Sequence, residues 1–249
     1  GRVLEIVEKQ IGDDFVCLFT SDHGGQWPFG KWNLYDYGTR IPLIVSWPGR
    51  IEKGIRTDAM VSWVDIIPTL IDLAGGQVPG DIDGRSFVEV LLGNRRSHRD
   101  KIFTTHTGDT VYNIYPIRSV RVGNYKYIHN LLPDAVHTNH SDILRKDGTG
   151  AYWDSWHAAA ERSKRAAATV EAYYTRPEFQ LFDLSVDPME QTNLSSDADY
   201  AALLNNLRSD LRDWTTAQGD ELKPHREPYL KTDNLTEIRV EIIAQRNRR

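Results

Sequence analysis

The residue types best suited to chemistry lie close together in FTSDHGGQWPFGKWNLYDYGTR, at positions 19–40. Asp22 and His23 directly follow a short apolar run, and in open α/β sheets ligands bind beyond the carboxyl ends of the strands. A carboxylate and an imidazole are both regular metal ligands, and the paired glycines after them let the backbone turn closely around an ion. Lys31 follows behind a loop that ends in glycine. This spacing indicates a pocket in which a metal ion and an ammonium group hold a tetrahedral oxyanion.

Residue spacing alone leaves a second interpretation of the same segment open. A D-H-G-G sequence after a strand is also typical of a plain turn, in which Asp22 bonds backbone amides and His23 is solvated. Two ligands do not make a metal site, and a single lysine such as Lys31 is most often a surface charge. Spacing by itself therefore does not choose between a metal site and a turn.

Apolar strands and helices alternate through the first 100 residues. The run FVCLFT is typical of a strand buried on both faces of a sheet. Ser62 and Asp65 form a possible capping pair for a helix that must hold Pro68 in its first turns. The predicted elements are strands at 15–20 and 41–47 and helices at 3–11 and 62–74.

The polar stretch GNRRSHRDK at 93–101 predicts a domain boundary, which divides the chain into residues 1–100 and 101–249. Beyond it, two β-rich runs joined by Gly123-Asn124 predict an antiparallel hairpin. An insertion-like stretch follows, and an apolar stripe then marks a closing helix. The predicted elements are strands at 102–105, 118–122, 125–129 and 179–184, a helical stretch at 153–173, a helix at 203–214 and a surface or mobile tail after 219.

Composition limits the class of protein. Of the 249 residues, 40% are hydrophobic and 26% are charged, as in a soluble globular protein. The formal net charge of −5 provides no general attraction to nucleic acid or to an anionic membrane. No apolar run approaches the roughly 20 residues that span a bilayer. The single cysteine, Cys17, excludes a disulfide framework within the chain.

Several segments, in order, resemble the type I sulfatases of the alkaline phosphatase superfamily. They are FTSDHG with a lysine after it, IVSWPGRI, VSWVDIIPTLIDLAG, DGRSFVEVLLG and FQLFDLSVDPMEQTNL. Within that family, GKWNLYDYGTRIPLIVSWP and YPIRSVRVGNYKYIHNL are most similar to the heparan N-sulfatase (sulfamidase) branch. The resemblance implies an α/β fold: part of a large mixed sheet flanked by helices, plus a small C-terminal antiparallel sheet with a packing helix.

The resemblance also implies hydrolysis of a sulfate ester or sulfamate on a carbohydrate. The family uses a divalent cation, commonly calcium, and a formylglycine made from the cysteine of a C-x-[PA]-S-R motif. On that resemblance Asp22 and His23 are metal ligands, and Lys31 is the catalytic residue that holds the sulfate. The metal and the lysine would spread the charge on the sulfuryl oxygens while the hydrated aldehyde supplies an oxygen nucleophile.

Two residues depart from the family pattern. Cys17 is followed by Leu-Phe-Thr rather than by the nucleophile motif, so we expect it to be a small core hydrophobe. We therefore expect the formylglycine in an N-terminal half that this chain lacks, and the chain alone to be inactive. His23 stands where sulfamidases carry an amide, whereas choline-sulfatase-like enzymes and phosphonate monoester hydrolases have histidine. Since calcium prefers oxygen and imidazole suits transition metals, manganese and zinc stay open beside calcium.

Other residues and functions complete the expectations. His106 and Arg118 are candidates for substrate contact, although His106 also fits an ordinary loop histidine and Arg118 a structural ion pair. Four aromatic residues could stack on a sugar ring or fill a core. The alternative functions are a phosphonate or phosphodiester hydrolase and a non-catalytic subunit that binds sulfated glycans. The family resemblance favours an extracytoplasmic location: periplasmic, secreted or lysosomal. The four aromatic residues are Tyr112, Tyr115, Trp153 and Trp156.

Overall fold

A computed structural model of the chain describes residues 1–108, 114–139, 142 and 153–225. The chain forms two compact units, and each is described by itself. The first unit comprises Gly1–Asp22 and Ile41–Ile102, and the second comprises His23–Arg40 and the chain from Phe103 onwards. The units thus differ from the predicted division at residue 100 mainly in residues 23–40, which pack with the C-terminal part of the chain. In the described part of the chain, none of the helices has the length and apolar character needed to cross a membrane.

The described elements follow the predicted order along the chain. Short 3₁₀ turns precede two of the helices, at Trp63–Asp65 and Ala198–Tyr200. The helices and strands are α1 (Arg2–Ile11), β1 (Cys17–Thr20), α2 (Asp36–Thr39), β2 (Leu43–Ser46), α3 (Ile66–Leu73), α4 (Val88–Leu91), β3 (Lys101–His106), β4 (Ile117–Val122), β5 (Tyr125–Asn130), α5 (Trp153–Ala160), α6 (Lys164–Tyr174), β6 (Phe179–Asp183) and α7 (Ala201–Ala217).

The first unit contains a two-stranded antiparallel sheet of β1 and β2, in which Phe19 lies opposite Ile44. The predicted burial of β1 on both faces is not found: Phe19 is 59% exposed and Ile44 is 61% exposed. Cys17, predicted as a core hydrophobe, is only partly buried. Helix α1 likewise buries none of its residues, although its apolar side chains are large. A continuous apolar run therefore indicates a strand but does not supply the elements that cover it.

The start of α3 has the capping arrangement that the sequence predicts. The Ser62 and Asp65 side chains bond each other's backbone amides, and Pro68 lies in the first turn, where its missing N–H costs little. Asp65 is fully buried, accepts a hydrogen bond from the Arg85 amide at 2.9 Å and pairs with Arg99. Burial opposes ionisation of Asp65, but these hydrogen bonds outweigh it and lower the pKa of the carboxyl.

The second unit is built on a four-stranded sheet in the order β3-β4-β5-β6. Strands β4 and β5 form the predicted antiparallel hairpin, and β6 adds to β5 in antiparallel register. Because side chains alternate across a strand, the sheet has two faces with different partners. On one face, Val120 and Tyr127 pack against Leu207 and Leu211 of α7. The predicted closing helix is therefore confirmed, and it covers one face of the sheet.

The other face of the sheet receives residues 23–40. Leu34 and Tyr35 are 5% exposed and form a hydrophobic cluster with Ile117, Ile128 and residues nearby. This burial is the physical reason why residues 23–40 belong to the second unit. The helical stretch predicted within the insertion forms the hairpin of α5 and α6. Its own cluster contains Val136, Trp153, Val170, Tyr173 and Tyr174.

Candidate functional site

Residues 23–38 of the second unit form a closed loop that carries His23 and Lys31, and it is called the Lys31 loop below. The amide of Gly24 donates to the carbonyl of Gly38 at 2.9 Å, which joins the two ends of the loop. The amide of Lys31 donates to the carbonyl of Gly25 at 2.8 Å. The backbone at Lys31 therefore returns to within two residues of His23. That the Lys31 ammonium reaches the same site as His23 stays a prediction.

Two glycines allow the backbone of the Lys31 loop to pack this closely. A Cβ atom at Gly24 would lie 1.9 Å from the carbonyl oxygen of Tyr37, and one at Gly38 would lie 2.4 Å from that of Gly30. Real Cβ atoms do not approach backbone oxygens so closely. Glycine is required at these positions because a Cβ atom would collide with the backbone of another part of the loop.

The loop also contains two side-chain-bearing residues with positive φ angles, Phe29 at 63° and Trp32 at 67°. Such conformations are unfavourable for non-glycine residues and persist only where surrounding contacts hold them. The Phe29 ring supplies those contacts, since its edge packs 5.5 Å from the Tyr35 ring and 5.6 Å from the Tyr173 ring, centroid to centroid. Phe29 therefore anchors the loop in two of the hydrophobic clusters of the second unit.

His23 is partly buried, and its Nδ1 lies 2.7 Å from the carbonyl oxygen of Gly24. A carbonyl only accepts hydrogen bonds, so Nδ1 carries the proton and the lone pair of the neutral ring is on Nε2. Histidine ligands of metals are commonly oriented by such a bond from the other ring nitrogen. The tautomer of His23 therefore suits a metal ligand through Nε2.

Asp22 is exposed and ends the first segment of the first unit. The residue before it, Ser21, is fixed within that unit because its carbonyl accepts a hydrogen bond from Trp63 Nε1 at 3.1 Å. Among the residues that the structure describes, no group of three or more His, Cys, Asp or Glu side chains is arranged to hold a metal ion. The described residues therefore do not complete a metal site, and the assignment of Asp22 and His23 as metal ligands stays a prediction.

The Lys31 side chain is partly buried, and its ammonium lies 4.7 Å from the centre of the Trp32 ring. An ammonium over an indole face is held by the ring quadrupole without being neutralised. The Trp32 ring therefore holds the Lys31 ammonium at a defined position. A tetrahedral dianion such as sulfate is the kind of ligand that such a charge attracts.

A buried polar network supports the loop behind Lys31. Asn33 is 3% exposed, and its Nδ2 donates to the carbonyl oxygen of Lys31 at 3.1 Å. Its Oδ1 accepts from Arg176 Nη2 at 2.7 Å, and the same nitrogen donates to His137 Nδ1 at 3.1 Å. Burial, with the nearby charges of Arg176 and His106, holds the pKa of His137 well below its usual range. His137 is therefore neutral and accepts the hydrogen bond from Arg176.

Sequence reasoning did not find Asn33, His137 or Arg176. Asn33 and Arg176 lie 143 residues apart, and neither belongs to a pattern that predicts chemistry. The sequence predicts the helical stretch before Arg176. Its local periodicity does not reveal that this stretch is placed against the Lys31 loop.

Arg118 contacts the backbone at His106, a residue of the same unit. Arg118 Nη1 donates to the carbonyl oxygens of His106 and Ile117, each at 2.9 Å. The Arg118 side chain is 3% exposed, and its Nε and Nη2 bond the carboxylate of Asp220. The hydrogen bond from Arg118 lowers the pKa of Asp220. This geometry favours the structural ion pair over substrate contact for Arg118.

The four aromatic residues considered for sugar stacking separate by burial. Tyr115 is 1% exposed and Trp153 is 0% exposed, so both fill hydrophobic clusters and neither offers a ring face to a sugar. Trp156 is partly buried against the cluster of the α5-α6 hairpin. Tyr112 lies outside the described residues.

Comparison with known proteins gives a consistent class. The family model described as "N-sulphoglucosamine sulphohydrolase, C-terminal" matches residues 23–146. An ulvan-active sulfatase of Formosa agariphila is 31% identical over 223 residues, which is 89% of this chain and 41% of that protein. The N-sulphoglucosamine sulphohydrolase of Homo sapiens is 30% identical over 238 residues, 86% of this chain and 44% of that protein.

Solved structures agree on the fold. The structure of a 2-O GAG sulfatase has a TM-score of 0.64 at 24% identity. The match covers 91% of this chain and 42% of the sulfatase chain. The phosphonate monoester hydrolase of Agrobacterium radiobacter has a TM-score of 0.59 at 25% identity, with coverages of 87% and 38%.

The fold and these relatives define a chain of the alkaline phosphatase superfamily. Within that superfamily, the chain belongs to the type I sulfatases and corresponds to their C-terminal portion. It spans about two fifths of the length of the curated relatives that it matches.

Proposed function

We propose that this chain is the C-terminal portion of a sulfatase that hydrolyses a sulfate ester or sulfamate on a carbohydrate. The observation that supports the proposal is the closed Lys31 loop, in which the Lys31 amide donates to the carbonyl of Gly25, two residues after His23. Family membership supports this reading of the loop, because the relatives include enzymes named for ulvan and N-sulphoglucosamine. The plain-turn interpretation expects a solvated His23, whereas His23 is partly buried and its Nδ1 bonds the carbonyl of Gly24.

Each candidate residue has a role that follows from its chemistry. Lys31 would bind the sulfate group, since its ammonium can donate to the sulfuryl oxygens and offset the negative charge that grows on them. Asp22 and His23 would hold a divalent cation through a carboxylate oxygen and Nε2. That cation, calcium or, because of the imidazole, manganese or zinc, would act as a Lewis acid toward the same oxygens. In each role, the chain orients and neutralises the anion rather than attacking it.

The nucleophile is expected elsewhere. Cys17 lies in β1 and is not part of a C-x-[PA]-S-R motif. We propose that an N-terminal portion of the enzyme would supply the nucleophile as a hydrated formylglycine, and that this chain alone is inactive.

The N-terminal portion is also the partner that best fits the exposed apolar surface of the first unit. Val3, Ile6 and Ile11 of α1 are each at least 59% exposed, as are Phe19 and Ile44 of the two-stranded sheet. Leaving such side chains in water is unfavourable by about 25 cal/mol per Å². The relatives are more than twice as long as the matched region, so an N-terminal portion of the same enzyme is long enough to cover this surface.

The proposal is tested with the full-length native gene product, produced together with a formylglycine-generating enzyme. We expect turnover of 4-nitrophenyl sulfate, and a loss of about 100-fold or more in kcat/KM for Lys31→Met, since one oxyanion donor is removed. Lys223→Met is the matched control, because Lys223 is exposed and pairs only with Glu221 in the described contacts. Undiminished activity of Lys31→Met would refute the role of Lys31. Turnover by the 249-residue chain alone would refute the proposal that the nucleophile is supplied from outside this chain.

A second candidate function is hydrolysis of phosphonate or phosphate diesters. The observation that favours it is His23, together with the structural similarity to a phosphonate monoester hydrolase. Comparison of kcat/KM for aryl sulfate and aryl phosphonate esters in the same preparation separates the two functions, because the ratio reports which transition state is bound better.

A non-catalytic subunit that binds sulfated glycans is the third candidate. Calorimetry with a heparin oligosaccharide, with and without a chelator, distinguishes it, since a binding subunit would keep its affinity without metal. An extracytoplasmic location is part of the proposal by family resemblance, and fractionation of the source cells tests it.

A further inference from the structure

We propose that Arg176, acting through Asn33, is a positioning residue that holds Lys31 in place for anion binding. The inference rests on the proposed function, because it concerns the lysine that would bind sulfate. It adds Arg176, which follows the α5-α6 hairpin and to which neither the sequence nor the comparisons give a role. Both residues and the whole Lys31 loop belong to the second unit.

The Arg176 guanidinium occupies an unusual environment for a buried cation. Arg176 is 2% exposed, and its described interactions include no carboxylate. Aromatic rings surround it instead, and a guanidinium is stabilised by contact with ring faces. The distances from its Cζ atom to the ring centres are 5.3 Å for Tyr35, 5.8 Å for Tyr115, 5.8 Å for Tyr173 and 6.0 Å for Phe29.

The hydrogen bonds of Arg176 fix the orientation of the Asn33 amide. A guanidinium only donates, so the Asn33 atom facing it must be the acceptor Oδ1. The opposite end of the amide, Nδ2, is thereby directed to the carbonyl oxygen of Lys31. The Lys31 carbonyl only accepts, so it requires Nδ2 on its side, and the two contacts agree on one orientation of the amide. Arg176 thus holds Asn33 in the orientation that supports the Lys31 backbone.

The support continues to the start of the loop. Lys31 is bonded at its carbonyl by Asn33 and at its amide by Gly25, so both sides of the residue are fixed. The neighbouring Trp32, with φ of 67°, carries the ring on which the Lys31 ammonium lies. Loss of the Arg176 contact would free the Lys31 carbonyl and let this strained segment relax. The ammonium would then no longer be held at one position.

Hydrogen exchange and sulfate titration of the 249-residue chain test the inference. The variants are Arg176→Lys, which keeps a cation among the rings but cannot bond Asn33 and His137 with one planar group, and Asn33→Ala. We expect the amides of Lys31 and Asn33 to exchange at least tenfold faster in both variants, relative to the amide of Val120 in β4. We also expect the Kd for inorganic sulfate, followed at the Lys31 resonances, to rise about tenfold. Leu207→Ala, which weakens the core under α7, is the control for loss of stability alone. It should leave the exchange rates relative to Val120 and the Kd for sulfate unchanged.

The outcomes separate this inference from the proposed function. Unchanged exchange and sulfate affinity in a folded Arg176→Lys variant would overturn the positioning role and leave the role of Lys31 intact. Sulfate binding that Lys31→Met does not weaken would overturn the proposed function, while the exchange ratios would still report on Arg176. If Arg176→Lys does not fold, Asn33→Ala gives the same two readouts, and normal values there would overturn the inference.

Discussion

Arg118 and Asp220 form an ion pair across 102 residues of sequence, with the guanidinium 3% exposed in β4 and the carboxylate in the segment after α7. The pair fixes the chain where it leaves the closing helix. The pair also engages the guanidinium of Arg118, which the sequence gives as a candidate for substrate contact.

Asp220→Asn removes the charge that compensates buried Arg118, so we expect the free energy of unfolding to fall by about 3 kcal/mol at pH 7. The pKa of Asp220 is lowered in the folded state. Its stabilising contribution is therefore complete above the ordinary aspartate pKa of about 4 and is lost as the pH falls through the lower folded value. Urea unfolding at pH 7 and pH 3 should show the gap between the two proteins shrinking in acid. The control is exposed Glu221→Gln; a gap that is independent of pH would contradict the prediction.

Lys126→Met leaves two carboxylates without their shared cation. Lys126 is 3% exposed, lies 3.0 Å from Glu190 Oε1 and also bonds Asp36. We expect a loss of about 3 to 5 kcal/mol at pH 7. Burial raises the pKa of Glu190, although Lys126 opposes the rise. A raised carboxyl pKa means that the folded state favours the protonated form, so the variant should regain stability as the pH falls from 7 toward about 5.

Thermal and urea unfolding at both pH values measure the Lys126→Met effect, with Lys223→Met as the exposed control. The prediction fails if the variant loses further stability, relative to the native chain, over this range of pH.

Gly24→Ala tests the close backbone packing of the Lys31 loop. Because the new Cβ would meet the Tyr37 carbonyl at 1.9 Å, we expect destabilisation of about 2 kcal/mol or more. Gly80→Ala is the matched control, since a Cβ there meets no atom within 4 Å, and its effect should stay within about 0.5 kcal/mol. Equal unfolding midpoints for the two variants would show that the loop does not need glycine at position 24.

His23→Asn tests the ligand that departs from the sulfamidase pattern. An amide oxygen replaces an imidazole nitrogen, so calcium should support more activity relative to manganese or zinc. The measurement is kcat/KM of the chelator-treated full-length protein after each metal is restored. His225→Asn, at an exposed position, should leave the order of metals unchanged. An unchanged order in His23→Asn as well would argue against His23 as a ligand.

Local features of the fold were predictable from the sequence. The Ser62 and Asp65 capping pair and the hairpin at Gly123-Asn124 depend on residues a few positions apart, and both are present. Burial was less predictable, because the run that contains Phe19 indicates a strand but says nothing of what covers it. The apolar character of Leu34 and Tyr35 likewise did not reveal that they pack on β4 and β5.

The candidate site shows the same limit. Asp22, His23 and Lys31 stand in one short segment, so their residue types and spacing were enough to select them. Asn33 and Arg176 could not be selected from the sequence, because an asparagine near a lysine and an arginine after a helix are common patterns. Only the folded chain brings them within 2.7 Å.

The anchoring of Phe29 in two clusters constrains how parts of this chain can be exchanged with those of relatives. One cluster contains Tyr35, Ile117 and Phe182, and the other contains Trp153 and Tyr173 of the α5-α6 hairpin. A chimera that receives residues 23–38 without the hairpin would leave the Phe29 side chain facing a foreign surface. Grafts intended to alter specificity should therefore transfer both segments as a single cassette.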